Sequence, residues 1–121
     1  YYDFPPVYSF PMPVQRPHPP VLLGGMAKNV FKRIVEYGDG WMPNRVTPED
    51  IKKGRAALDE MADAAGRDPK SIQIMVFGQK ADRDLLNALE EAGADGVAVR
   101  LETGNEEEAL ERMEKMAEVV L

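Results

Sequence analysis

Two adjacent glycines, Gly24 and Gly25, close the apolar run Val21-Leu22-Leu23, and one helix-length later comes Gly38-Asp39-Gly40-Trp41. A strand that ends in glycines and opens into an amphipathic helix leaves bare backbone N–H groups at the positive end of the helix dipole, where a phosphate can sit. Glycines keep side chains out of the anion's way. A helix starting near Met26 offers the N–H groups of Met26, Ala27 and Lys28, and Lys28 either adds a charge or is an ordinary solvated helix lysine. The plain alternative is a tight strand-to-helix turn, for which glycine is a common choice.

Further groups stand where strands end. Trp41 closes the next short strand, where it either walls a cofactor pocket or fills a barrel interior as a core aromatic. Arg100 ends the last strand, and its planar fork suits a phosphate or carboxylate. The alternative for Arg100 is a salt bridge to Glu102 or another acid. Gln79 and Lys80 occupy the equivalent end of the third strand. His18, the sole histidine, is the obvious general base by type, but it precedes the first strand and so belongs to the stability face of a barrel. Glu106-Glu107-Glu108 reads as a helix start complementing the dipole, not as a metal site.

The elements that would position these groups alternate strand and helix four times after Pro20. Ala27, Val30, Phe31, Ile34 and Val35 make one apolar stripe on a helix from about Met26 to Tyr37. A strand over Gly40 to Met42 follows. Thr47-Pro48-Glu49-Asp50 supplies an N-cap, a proline at the first helical position and two acids in the first turn. Ile51, Leu58, Met61, Ala62 and Ala65 carry that helix to its stop at Gly66 and Asp68-Pro69. Ile72 to Phe77 reads as a strand buried on both faces, closed by Gly78. A third helix over Asp82 to Ala92 turns Leu85, Leu86, Ala88, Leu89 and Ala92 inward and stops at Gly93. The strand Gly96 to Leu101 is then followed by a last helix capped by Asn105, with Leu110, Met113, Ala117 and Val120 as its buried side. Glu108 with Arg112 and Glu111 with Lys115 are its i, i+4 pairs.

This order predicts an α/β fold with a parallel sheet, four βα units amounting to half of a (β/α)8 barrel. The units show no readable sequence repeat. Residues 21–121 form the half-barrel, and residues 1–20, which hold most of the ten prolines, form an extended lead-in. The chain opens without a Met and reads as beginning mid-protein. Four curved strands expose two unpaired edges and an apolar concave face, so the half-barrel is expected to pair with an N-terminal half or with a second copy of itself.

Composition narrows the function classes. A net charge of −6 leaves no basic stripe for a nucleic-acid backbone. Without Cys there are no disulfides, thiolate metal sites or cysteine nucleophiles, and one His cannot make a histidine-rich metal site. No apolar run approaches the roughly 18 residues of a membrane helix, and no basic-then-apolar signal opens the chain. Cytoplasmic localisation is the expectation.

The passage from Pro13 to Trp41, with Pro17-His18-Pro19-Pro20, the apolar strand, Gly24-Gly25, a helix and Asp39-Gly40-Trp41 in that order, resembles the luciferase-like family of flavin-dependent oxidoreductases. The resemblance extends over nearly all of the chain and covers the C-terminal part of that family's barrel. It implies FMN or an 8-hydroxy-5-deazaflavin coenzyme, with its phosphate at Gly24, Gly25, Met26 and Ala27 and Trp41 bordering the ring-side pocket. It further implies a small-molecule substrate touched by Asn44 and Arg100. Because the family places ring-supporting and proton-transfer residues in its N-terminal half, the chain alone is expected to be catalytically silent. A non-enzymatic half-barrel that serves as an assembly module is the competing reading.

Overall fold

A computed structural model describes residues 3–27, 29–102 and 104–120. Four strands, β1 (Leu22–Gly24), β2 (Gly40–Met42), β3 (Gln73–Gln79) and β4 (Gly96–Val99), form one sheet in the order β1-β2-β3-β4. All three pairings are parallel. Helices α1 (Val30–Tyr37), α2 (Pro48–Ala64) and α3 (Arg83–Glu91) connect successive strands, and α4 (Glu106–Val120) follows β4. A short 3-10 turn, Pro69–Ser71, leads into β3. Sequential parallel strands joined by helices are the arrangement of half a (β/α)8 barrel. Residues 3–21 form neither helix nor strand.

The core lies between the sheet and its helices. Ile34 of α1, Ile51 and Leu58 of α2 and Leu89 of α3 are fully buried against Trp41, Ile74 and Val76 of the sheet. The opposite, concave face is open. β3 therefore alternates, with Ile74 and Val76 buried on the helix side and Gln73 and Phe77 exposed on the other, where burial on both faces is expected from its composition. In a parallel barrel that second face is covered by the remaining strands' side chains.

Three element boundaries and one helix face differ from the sequence expectation, and the first of these is the end of β4, at Val99 and not Leu101. α1 begins at Val30, not Met26, because Met26 and Ala27 are exposed and contribute nothing to the apolar stripe that stabilises the helix. Lys28, proposed as a possible phosphate charge, lies outside the described residues. Gly78 does not close β3; it sits inside the strand at φ 75° and marks an irregularity between Phe77 and Gln79, after which pairing to β4 resumes at Gln79–Val99. On α4 the expected inner side is largely open, with Leu110 and Met113 more than half exposed. Its main helix neighbour among the described residues is α3, which covers only part of the stripe.

Helix starts follow the sequence closely. Thr47 and Asp50 form a reciprocal capping box at the head of α2, and the Asp50 carboxylate accepts the Thr47 backbone N–H at 2.9 Å. Glu108 N–H donates to the Asn105 side-chain oxygen at 2.9 Å, and both expected α4 ion pairs are present.

A repeat that the amino-acid pattern hides is visible in the hydrogen bonds. Asp39 and Asp95 each precede the glycine that begins a strand. Each carboxylate accepts a backbone N–H from the neighbouring strand at 2.7 Å, Val21 for Asp39 and Ile74 for Asp95. Each also returns its own N–H to that residue's carbonyl at 2.8 Å. Gly40 is required beside Asp39, since a Cβ would strike the Gln73 carbonyl, whereas at Gly96 a Cβ would meet only the movable end of the Met75 side chain.

Candidate functional site at the carboxyl rim of the sheet

The strands' carboxyl ends bring Gly24, Asn44, Gly78 and Arg100 to one rim. β1 ends at Gly24, and Gly25 takes φ 90°, a left-handed conformation open to glycine at no steric cost. Nothing lies within 4 Å of where a Cβ on Gly25 would be, so the space above the turn is clear. The Gly25 carbonyl accepts the Trp41 indole N–H at 2.9 Å. A trans peptide is planar, with N–H and C=O pointing in opposite directions, so the Met26 N–H faces away from the Trp41 indole. Neither Met26 nor Ala27 donates its backbone N–H to a partner among the described residues.

Trp41 stands behind this turn and not over it. Its ring is fully buried, in edge-to-face contact with Phe31 at a centroid distance of 4.9 Å and an angle of 86°. It neither walls an open pocket nor fills the barrel interior among the described residues; the ring lies in the sheet–helix layer and is tied to the rim by the bond to Gly25. Gly54 makes room for it, for a Cβ at that position would overlap the ring. Glycine inside a helix costs about 1 kcal/mol relative to alanine. A lone glycine in the otherwise good helix sequence of α2 was the available signal for a bulky group packed against it.

The next strand ends are joined by an open cleft of about 430 Å³ whose walls include Asn44, Arg45, Phe77, Gly78, Ala98 and Arg100. Asn44 extends the β2–β3 ladder by a bridge to Phe77. Its amide oxygen would lie 2.9 Å from a Cβ on Gly78, so the irregularity in β3 is also what admits the Asn44 side chain. Arg100 is placed by its backbone N–H, which donates to the Gln79 carbonyl at 2.8 Å. Among the described residues its side chain forms no ion pair, so the alternative of an Arg100–Glu102 salt bridge is not realised. Asn44 and Arg100, named separately from the sequence, thus share one cleft.

Gln79 is buried and structural. Its Nε2 donates to the Val46 carbonyl at 3.0 Å, which pins the loop between β2 and α2. That loop contains Arg45 at φ 52°, the one non-glycine residue at positive φ among the described residues. For an L-residue the left-handed conformation costs roughly 1–2 kcal/mol, so the surrounding contacts impose it. Arg45 is the residue that sequence reasoning missed, since arginine carries no preference that would flag it.

His18 lies at the opposite, amino end, with Nδ1 3.7 Å from an Asp39 carboxylate oxygen and 2.9 Å from the Pro19 carbonyl oxygen. No group of three His, Asp or Glu among the described residues is placed to hold a metal ion, and no described helix is long and apolar enough to cross a membrane.

Comparison of the sequence with known proteins gives a family match. A family model described as luciferase-like monooxygenase matches residues 1–119. The chain belongs to that family. Uncharacterized proteins Rv0953c of Mycobacterium tuberculosis and Mb0978c of Mycobacterium bovis are each 35% identical to it over 118 residues. Those matches take in 94% of this chain and 40% of either relative, so the chain spans less than half the length of the curated relatives it matches. Within a luciferase-like barrel the rim described above is the face on which (β/α)8 enzymes carry their active sites.

Proposed function

We propose that this chain is the C-terminal half-barrel of a luciferase-like oxidoreductase or monooxygenase and that its Gly24-Gly25 turn anchors the phosphate of FMN or of an 8-hydroxy-5-deazaflavin coenzyme. The observation that carries this reading is the clear space above Gly25 together with the unpartnered N–H of Met26, facing away from the Trp41 indole. A phosphate would fit there because the Met26 and Ala27 backbone N–H groups have no partner among the described residues, beside a spot that no described side chain occupies. Gly24, Gly25, Met26 and Ala27 would hold it, with Trp41 acting as a positioning residue through the Gly25 carbonyl.

When bound, a flavin or deazaflavin supplies the hydride or oxygen chemistry itself. The chain's own part is to fix the cofactor at one end and to present Asn44 and Arg100 to a small-molecule substrate in the neighbouring cleft. Completion of the barrel by an N-terminal half or a second copy would cover the open concave face and exclude water. Alone, the chain is expected to turn over no reduced FMN above the rate of free flavin.

A second reading, a half-barrel that works only as an assembly module, is favoured by that same exposed face, where Phe77 is 49% exposed. The two are separated by titrating the chain with FMN, and separately with a deazaflavin, while following the fluorescence of Trp41. Saturable quenching that inorganic phosphate competes away is the expected result, because the indole N–H is bonded directly to the turn. An unchanged emission at high ligand would remove the phosphate-turn reading and put the assembly module first.

A further inference from the structure

We propose that Arg45, Lys80 and Arg100 form an oxyanion subsite at the carboxyl rim, separate from the Gly24-Gly25 turn, which receives a carboxylate or phosphate group of the substrate. The inference rests on the reading of this rim as the substrate face and adds the substrate's chemical class, a small molecule with an apolar body and an anionic end.

The first support is charge. The chain carries −6 overall, yet the cleft of about 470 Å³ beside the Asn44 cleft is lined by Arg45, Lys80 and Arg100 with Glu102 as the only acid, three positive groups against one negative. Several cations elsewhere are engaged: Lys53 with Glu49, Arg55 with Asp59, Lys115 with Glu111, and Arg67 with the carbonyls of Ile34 and Val35. The side chains of Arg45, Lys80 and Arg100 make no hydrogen bond or ion pair among the described residues. An exposed arginine fork beside a second one is suited to grip an oxyanion with charge-assisted hydrogen bonds.

The second support is construction. Arg45, Gly78 and Arg100 line both clefts, so the cationic rim and the Phe77–Ala98 floor belong to one continuous depression. Arg45 is held at its unfavourable φ between buried Pro43 and buried Val46, and Gln79 fastens the Val46 carbonyl from below. The loop's backbone is fixed while the guanidinium stays free, which lowers the cost of ordering it around a ligand. Apolar floor, neutral Asn44 and cationic edge match the common pattern of small-molecule sites.

The test is a titration of the whole chain with inorganic phosphate, and separately with acetate, followed by 1H–15N correlation of arginine Nε–Hε groups and backbone amides. Saturable shifts at Arg45 and Arg100 are expected, with Arg100→Gln binding about tenfold more weakly and Arg33→Gln, on the outer surface of α1, binding unchanged. Arg45→Gly, which relieves the backbone conformation, keeps the test valid should the glutamine variant misfold. Linear shifts shared by all arginines, or equal weakening by Arg33→Gln, would overturn the subsite. The amides of Met26 and Ala27 report the turn independently, so failure there with a persisting arginine response rejects the phosphate turn and leaves the subsite standing. Repeating the titration with FMN added separates the sources: a retained arginine response supports a substrate group, whereas its displacement would assign the site to the cofactor and overturn the proposal.

Discussion

The two rims of the sheet are built on opposite principles. At the amino rim polar groups are committed to backbone: Asp39 and Asp95 to the N–H groups of Val21 and Ile74, Arg55 to the carbonyls of Ile72 and Pro69, and Arg67 to the end of α1. At the carboxyl rim three cations stand without such ties, one of them on a strained backbone, and Gly25 leaves space above its turn. The contrast separates what holds the fold from what is free to meet a ligand. It is the division between stability face and active face expected of (β/α)8 architecture, present here in four units.

The sharpest way to break the contrast is to cut an amino-rim tie. Asp95→Ala strips the Ile74 N–H of its partner, and Ile74 is fully buried, so water cannot replace the carboxylate. Leaving a buried donor unpaired costs about 1–3 kcal/mol. Asp39→Ala removes an identical bond, but Val21 is 41% exposed and solvent can take over the donor. Urea denaturation is expected to rank Asp95→Ala well below Asp39→Ala, with phosphate shifts at the carboxyl rim retained in the folded fraction. Equal losses would mean that burial of the donor does not set the value of these ties.

These differences mark how far the sequence could be read. Element order, parallel pairing, the Thr47 and Asn105 caps and the i, i+4 pairs of α4 follow from local rules of spacing and capping, and all are present. Arg100 was legible as a strand-end residue and Asn44 through the family resemblance, but their sharing of one cleft at the β3 irregularity around Gly78 is a pairing fact with no local signature. Trp41 faces the helices because Gly54, thirteen residues later, leaves room for it. The start of α1 was misplaced because a glycine pair predicts a turn but not its length. Arg45 was invisible: its φ is imposed by the buried groups on either side, not chosen by its type.

A smaller effect of opposite sign is expected at the carboxyl rim. Arg45→Gly removes the steric cost of φ 52°, offset in part by the extra freedom glycine has in the unfolded chain. The net gain is up to about 1 kcal/mol. Thermal melts should show a slightly higher Tm together with loss of the phosphate response. Stability gained where ligand response is lost is the signature of a residue kept for binding, and a destabilised Arg45→Gly would instead make Arg45 part of the framework.

The smallest effect concerns the framework the carboxyl rim does possess, the capping box that ends the Arg45 loop. Asp50 is held below the ordinary aspartate range, first by the Thr47 backbone N–H and then by the Thr47 hydroxyl, both donating to its carboxylate, with Lys53 adding a weaker attraction. Because the folded-state value is depressed, unfolding favours the protonated acid. The stabilisation is therefore complete above the unfolded aspartate range, about pH 4, and is lost as pH falls through the lower folded value. Asp50→Asn should melt below the parent protein by a constant margin at neutral pH, and that margin should close only in acid. The Arg45 and Arg100 side-chain signals should hold their positions across the neutral range and move only where the margin closes. Movement near neutrality would show that the rim is set by some group other than this cap.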